Sequence, residues 1–442
     1  MENTDSDSNL QLDNKKRILA WSLYDWANSA FATTIMAGFF PVFLGAYWAP
    51  ESIVDTAQKT FLLGAFNSGA SLIVMILAPI LGAIADHMAG KKKFLAAFCL
   101  MGVIMSASLG FLASGQYWFA LVLYALGTIG FSGANIFYDS LLPAVASEKK
   151  VDYVSSLGFS LGYIGGGLLF TLNVAMYLLH DSIGLTEDQA IKLSFISVGV
   201  WWLVFSIPLF RKVPEPYVKE KISASQAIKG GFTQLKTTFQ DISRLKYVAM
   251  FLLAFWLYID GVDTIIRMAL DFGDSLDTVD LGPTELIVIL LMVQFIAFPA
   301  TLLYNTFAQK IGIKKGLLVA IGGYGLITIL GYFISENWHF YVLGGMIGLF
   351  QGGIQALSRS MYSRLIPKKK AAEFYGFFNM WGKFAAVIGP FMMGGITKLT
   401  GNPRFGLLSL LALFVLGGLI LFFVDLEKGE ELAQKFDEEV EI

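Results

Sequence analysis

Hydrophobic residues along the chain gather into long runs separated by short polar interruptions. The runs lie at roughly 18–48, 60–86, 94–114, 117–146, 152–179, 191–210, 246–270, 284–306, 315–334, 338–364, 372–399 and 404–425. A helix needs about 20 apolar residues to cross the hydrocarbon core of a bilayer, and each run reaches that length. The interruptions carry turn and cap residues, as in HMAGKKK (87–93), SEKK (147–150) and GNPR (401–404). The pattern predicts an all-α integral membrane protein with twelve transmembrane helices, termed spans 1 to 12 in chain order.

The polar pieces orient the spans through the excess of basic residues on cytoplasmic loops. Alternate interruptions hold Lys15 to Arg17, Lys91 to Lys93, Lys149 and Lys150, the basic residues of 211–246, Lys310 with Lys314 and Lys315, Arg364 with Lys368 to Lys370, and Lys428 with Lys435. The other side keeps Lys59, Lys192, Lys398 and Arg404. Both termini are therefore expected in the cytoplasm. The first 17 residues read as a cytosolic tail; the long apolar run that follows, with Asp25 inside it, is unlike a cleavable signal peptide.

The longest cytoplasmic piece, 211–245, separates a six-span unit (18–210) from a second (246–425), and 426–442 form a second tail. Within the linker, Ile228, Phe232, Leu235, Phe239 and Ile242 recur at spacings of 4 and 3, the signature of a helix lying on the inner leaflet. A loosely structured linker is the other reading. The two units resemble each other. At an offset of 224, Tyr138 falls on Tyr362, Pro143 on Pro367, Gly158 on Gly382 and Gly165 on Gly389. ADHMAGKKK from Ala85 lies over AQKIGIKKG from Ala308 at an offset of 223, placing Lys91 on Lys314 and Lys92 on Lys315.

Twelve spans, a central cytoplasmic loop and two like halves resemble the major facilitator superfamily of secondary transporters. GAIADHMAGKKKF (82–94) is similar to that superfamily's loop signature, with Gly82, Asp86, Gly90, Lys91 and Lys92 at its fixed positions. It departs in having His87 in place of a basic residue and one extra residue between Asp86 and Gly90. The resemblance implies that Asp86 steadies the inner gate; a helix-capping role beside basic residues is compatible with that. YDWANSAF (24–31) followed by GFFPVF (38–43) resembles the vacuole-effluxer branch, whose fungal members export amino acids. The resemblance implies two pseudo-symmetric six-helix bundles, a monomer, and a multi-pass location in a bacterial inner membrane.

Composition narrows the classes. Hydrophobic residues make up 55% of the 442 and charged residues only 15%, against about 25% in soluble domains. A net charge of −2 offers no basic footprint for nucleic acid. The single cysteine, Cys99, allows no intrachain disulfide or cysteine metal cluster, and His87, His180 and His339 lie far apart. No cofactor is implied. No G-x-x-x-x-G-K-[ST] loop occurs, so coupling would fall to an ion gradient rather than ATP.

Charges inside the spans are costly and mark function by default. They are Asp25 (span 1), Asp139 (span 4), Asp260, Asp263 and Arg267 (span 7), Arg359 (span 10) and Lys383 (span 11). All but Lys383 fall on spans 1, 4, 7 and 10, which line the central cavity in the resembled fold. At 3.6 residues per turn Asp260 and Arg267 share a face, while Asp263 and Arg267 are four apart and able to pair. Gln351, Gln355 and Arg359 form a polar stripe; Asn28 and Ser29 lie one turn beyond Asp25, and Asn135 shares a face with Tyr138 and Asp139.

Counting rise per residue places Asp25, Asp139 and Arg359 in the cytoplasmic third, with Asp260, Gln351 and Lys383 near the middle. Asn28, Ser29, Asp260, Arg267, Gln351, Gln355, Arg359 and Lys383 are accordingly the candidate solute ligands. Asp25, Asp86, Asn135, Asp139 and Asp263 are the candidates for gating or proton coupling. A structural ion pair is the competing reading for Asp25 and Arg359, a backbone contact for Asp139, a solvated local bridge for Asp263 with Arg267, and snorkelling for Lys383. The expected activity is alternating-access transport of a small polar solute, such as an amino acid or small peptide-like metabolite, with protons as coupling ion. A transporter-like receptor that binds without moving solute, and a different cargo such as an iron chelate or nucleoside, are the alternatives.

Overall fold

A computed structural model describes residues 12–49, 56–88, 90–216, 237–274, 276, 279, 281–384 and 388–439. Among these residues, ten helices are long and apolar enough to cross a membrane. They are built on Thr56–Met88 (span 2), Lys91–Leu109 (3), Tyr117–Ser140 (4), Val151–Leu178 (5), Glu187–Lys212 (6), Lys246–Asp274 (7), Pro283–Ile311 (8), Ile313–Tyr332 (9), Asn337–Leu365 (10), and the pair Pro403–Ser409 and Leu411–Phe422 (12).

The remaining two predicted spans are also helical, but each is divided. Span 1 runs as an α-helix over Lys15–Ala30, a π-helix over Phe31–Phe39, one α turn over Phe40–Phe43 and a second π stretch over Leu44–Trp48. Pro41, in the short α turn, brings no N–H to the ladder. Span 11 consists of Ala371–Phe384 and Ile388–Thr400.

The apolar faces close two hydrophobic cores. One draws on residues from Ile18 to Val213 and admits Ala372; the other runs from Ile242 to Val424. Large apolar side chains such as Phe61, Phe111, Leu303, Phe391 and Leu399 are exposed, the surface expected where lipid is the solvent. The chain is thus an all-α, multi-pass membrane protein of two six-helix bundles.

Small residues set how closely helices approach within a bundle. A methyl group on Gly162 would stand 2.6 Å from Ser29 Oγ, and one on Gly165 2.7 Å from the Trp26 backbone, so span 5 lies flush on span 1. Gly389 plays the matching part between spans 11 and 7, where a methyl would stand 2.9 Å from Asp260 Oδ1.

The internal repeat is visible in bonding. Lys92 Nζ donates to the carbonyls of Phe210 (2.9 Å) and Val213 (2.7 Å), at the end of span 6. Lys314 Nζ donates likewise to Phe422 (3.1 Å) and Val424 (3.0 Å), at the end of span 12. These bonds set Lys92, not Lys91, as the counterpart of Lys314, a one-residue correction to the sequence alignment. The cause is the extra residue between Asp86 and Gly90, which lengthens the first loop.

Most of the linker helix expected over 228–242, including Ile228, Phe232 and Leu235, lies outside the described residues. Of its described members, Ile242 is buried in the second core while Phe239 is exposed.

Candidate functional site

Lys91 to Lys93, Lys149 and Lys150, and Lys368 to Lys370 all lie on one face of the molecule, here called the basic face, with the start of span 1 and the C-terminal helix Leu426–Glu439. Asp13, just before span 1, receives bonds from the Ser147 backbone N–H (3.0 Å) and hydroxyl (2.7 Å) and lies 3.8 Å from Lys150.

On this face the two bundles are joined, and the centre of the join is Arg359 of span 10. Its Nη2 donates to Asp25 Oδ2 of span 1 (3.1 Å) and to the Ser155 carbonyl of span 5 (2.8 Å). Its Nη1 donates to Asp139 Oδ1 of span 4 (3.2 Å), and its Nε to Ser155 Oγ (2.9 Å). Ser155 Oγ in turn donates to the Ala356 carbonyl (2.9 Å). Only 3% of Arg359 is exposed, and 8% each of Asp25 and Asp139. Rings enclose the guanidinium: Phe159 at 4.0 Å, Trp21 at 4.9 Å and Tyr138 at 5.6 Å.

Each part of this nest has a local cause. Trp21 stacks on Tyr138 (4.4 Å, 16°) and donates Nε1–H to the Tyr138 carbonyl (3.1 Å), which locks span 1 to span 4. The Tyr138 hydroxyl donates to Asp25 Oδ2 (2.8 Å), so that oxygen serves both Tyr138 and Arg359. Gly158 leaves the necessary room, since a methyl there would overlap Asp25 Oδ2 and stand 2.9 Å from Arg359 Nη2. Burial strengthens the attraction between the guanidinium and its charged and aromatic partners, against the cost of taking those charges out of water.

Spans 2 and 11 form a second join. Asp86 pairs with Lys91 Nζ (2.7 Å) and accepts the Glu373 backbone N–H (2.8 Å) in the first turn of Ala371–Phe384, where helix dipole and free N–H groups favour a carboxylate. Glu215 accepts from the backbone N–H groups of Lys91 (2.7 Å) and Lys92 (2.9 Å), capping span 3. Glycines weld the backbones: methyl groups on Gly82 and Gly376 would come within 2.7 Å of the Ala372 carbonyl carbon and 2.8 Å of Pro79 Cα. The His87 side chain, at the departing motif position, lies outside the described residues.

The join fades with distance from the basic face. Above Arg359 the Tyr163 hydroxyl donates to Gln355 Oε1 (2.5 Å), and Ser160 Oγ donates to the Phe298 carbonyl (2.7 Å). Farther along, methyl groups on Gly64 and Gly69 of span 2, or on Gly394 and Gly395 of span 11, would meet no atom within 4 Å. Spans 2 and 11 therefore touch at the basic face and part towards the other.

The predicted residues distribute accordingly. Asp25, Asp139 and Arg359 come together as one cluster. Asn28 is buried and donates to Asn135 Oδ1 (2.6 Å), a bond within the first bundle. Ser29, Gln351 and Gln355 are half-buried. Asp260 faces into its own bundle, accepting the Gly389 N–H (3.0 Å) in the first turn of Ile388–Thr400 and the Thr264 hydroxyl (3.4 Å). It is 1% exposed, and its burial and direction differ from the cavity-facing position expected. Asp263 and Arg267 form the expected i,i+4 pair at 3.6 Å, partly exposed. The Lys383 side chain lies outside the described residues.

Residues 13–434 match the family described as "Vacuole effluxer Atg22 like". The chain belongs to this family. A chain from Bacillus subtilis (strain 168), an uncharacterized MFS-type transporter called YxiO, is 38% identical over 418 residues, covering 94% of this chain and 96% of that one. Autophagy-related protein 22 of Coccidioides immitis (strain RS) is 25% identical over 544 residues, covering 97% and 89%. Among solved structures, the transporter FucP in its outward conformation aligns with a TM-score of 0.67 at 13% identity over 92% of this chain and 98% of that one. A bacterial homologue of the iron transporter ferroportin in its outward-facing state aligns with a TM-score of 0.63 at 14% identity over the same shares. At such identities these likenesses speak for the major facilitator fold. The protein is a transporter of that superfamily and not an enzyme.

Several members of the site carry no charge to mark them in the sequence. Ser155, Phe159 and Tyr163 sit on span 5, which carries no charge in its membrane interior. Their signal was the small-residue spacing Gly158, Gly162 and Gly166, four apart, which marks the face that span 5 presents to span 1. The pairs Arg364–Asp152 (2.5 Å) and Arg364–Glu430 (3.3 Å) were also missed, because the partners lie far apart in sequence.

Proposed function

We propose that this Atg22-like transporter moves a small polar solute, an amino acid or small peptide-like metabolite, by alternating access, with the basic face in the cytoplasm. The two bundles are the moving bodies, and the conformation described is closed to the cytoplasm. The Arg359 cluster carries the reading: one buried guanidinium holds span 10 to spans 1, 4 and 5 through bonds that must all break for that face to open.

Protons are the coupling ion. Asp25 and Asp139 are two buried carboxylates sharing the one cation bonded to them among the described residues. Leaving a second carboxylate ionised and uncompensated in a desolvated site is costly, so one proton on the pair balances the closed cluster. Separation of the bundles exposes the carboxylates and releases it. Asp86 secures the second join. Ser29, Gln351, Gln355, Arg267 and Lys383 are the solute-facing candidates. Asn28 and Asn135 are a fixed pair between spans 1 and 4, and the mixed charge of Arg267 with Asp263 suits a zwitterion.

Uptake of labelled amino acids and dipeptides into proteoliposomes, with and without an imposed pH gradient, tests this. Accumulation driven by the gradient is expected. Saturable binding without flux overturns the transport reading, and flux indifferent to the gradient overturns the coupling.

A further inference from the structure

The helix Leu426–Glu439 follows the last span and lies on the basic face, outside the transmembrane bundles. It is docked tightly. A methyl on Gly429 would overlap Leu365 Cδ2 and stand 3.3 Å from Tyr247 Cβ, and Ala433 is buried. Phe436 lies 5.3 Å under Lys370 Nζ, whose charge is shared with buried Asp241 (2.6 Å). These contacts hold the helix to the second bundle and the end of the linker, and Gln434 adds a side-chain hydrogen bond to Glu148 of the first bundle.

Its acidic residues reach the cations that cross to the first bundle. Glu430 accepts from Arg364 Nη1 (3.3 Å), while Arg364 Nη2 donates to Asp152 of span 5 (2.5 Å). Asp437 accepts the backbone N–H groups of Lys368 (2.8 Å) and Lys369 (3.3 Å), fixing the turn from which Lys368 Nζ reaches Glu148 of the 4–5 loop (2.9 Å). Both outlying ion pairs between the bundles are therefore held from behind by the same helix. A long cationic side chain loses rotamer freedom on pairing, and a fixed carboxylate behind it meets that cost in advance.

We propose that the C-terminal helix is a strap that pre-orients Arg364 and Lys368 and so brakes opening of the basic face. Glu430 and Asp437 are positioning residues acting through those cations; neither touches the first bundle. The inference rests on the alternating-access reading, because a strap matters only if the bundles part.

The test measures access to the seam. In full-length protein with Cys99→Ala, a cysteine introduced by Ala78→Cys reports opening by its rate of reaction with a membrane-impermeant maleimide in nanodiscs. Charge reversal by Glu430→Arg with Asp437→Lys is expected to raise that rate several-fold, and truncation after Asp425 to do the same. Reversal of the exposed acids by Glu427→Lys with Glu431→Lys leaves it unchanged. Arg359→Ala is the positive control for opening. If Arg359→Ala accelerates labelling and the strap variants do not, the strap is overturned. If Arg359→Ala itself leaves the seam unreactive, the alternating-access reading fails instead. A misfolded truncation is recognised by its gel-filtration profile, and the charge reversals then decide.

Discussion

Arg359 and Asp25 lie 334 positions apart in the chain, yet Nη2 of one and Oδ2 of the other are 3.1 Å apart in the interior of the closed basic face. Their meeting joins the two halves of a duplicated fold. Asp139 completes the arrangement from the opposite side of the guanidinium at 3.2 Å, and Ser155 binds it twice from span 5. A buried charge so placed suits the gate proposed above, since the partners of its guanidinium all belong to the first bundle.

Arg359→Ala is expected to abolish flux while leaving membrane insertion intact. Removing one partner from a buried ion pair strands the others and costs about 3–5 kcal/mol, here charged to the closed state alone. The proteoliposome assay reads flux and the yield in the membrane fraction reads insertion. Transport at the normal rate would remove span 10 from the gate.

Gly82→Leu and Gly376→Leu are expected to prevent closure of the basic face without unfolding either bundle. The obstacle at each position is backbone, the Ala372 carbonyl for Gly82 and Ala78 with Pro79 for Gly376, and backbone does not yield as a side chain would. The seam cysteine at position 78 should react faster in either variant, with thermal stability changed little. Slow labelling equal to the parent would mean that spans 2 and 11 can close at a greater separation.

Asp260 gives a test that separates stability from solute recognition. Its carboxylate takes the Gly389 N–H at the start of Ile388–Thr400, so Asp260→Ala orphans a buried donor. Such a loss costs about 1–3 kcal/mol. A lower melting temperature is expected for Asp260→Ala and substantial recovery for Asp260→Asn, which keeps an acceptor, with the solute KM unchanged in both. A large rise in KM in the Asn variant would restore Asp260 to the solute site.

The fold was legible because lipid imposes a length rule on every span and a charge rule on every loop, and both survive without tertiary information. The cluster of Asp25, Asp139 and Arg359 was legible from depth alone, since helical rise places all three at one level. Direction was harder to read. Asp260 shares a helix face with Arg267, but a face can turn to a neighbouring span of the same bundle as readily as to the central cavity. The π stretches of span 1 left no periodic trace, because Phe31 to Trp48 is apolar nearly throughout and any helical winding fits it. Ser155 was hidden by being small and uncharged, with its importance residing in its carbonyl and in what the Gly158 gap admits beside it.

The strap helix should dock more firmly as pH falls from neutral towards the ordinary carboxylate range. Burial pushes the Glu430 carboxyl above its usual range, with Glu148 and Asp152 adding to the rise and Arg364 opposing it. Burial also raises Asp437, against the backbone N–H groups and charges of Lys368 and Lys369. A carboxyl raised in the docked state binds its proton more tightly there than when free. Its contribution to docking is therefore fullest below the ordinary carboxylate range and is lost as pH rises through the raised value. Glu148 works in the opposite sense, since its bond with Lys368 holds it low and that pairing fades only on stronger acidification. Limited proteolysis within 426–439 should consequently be slower near the ordinary carboxylate range, at about pH 4.5, than at about pH 8. Glu430→Gln with Asp437→Asn, neutral throughout, should flatten the difference. An equal pH dependence in that double variant would place the titrating group elsewhere on the basic face.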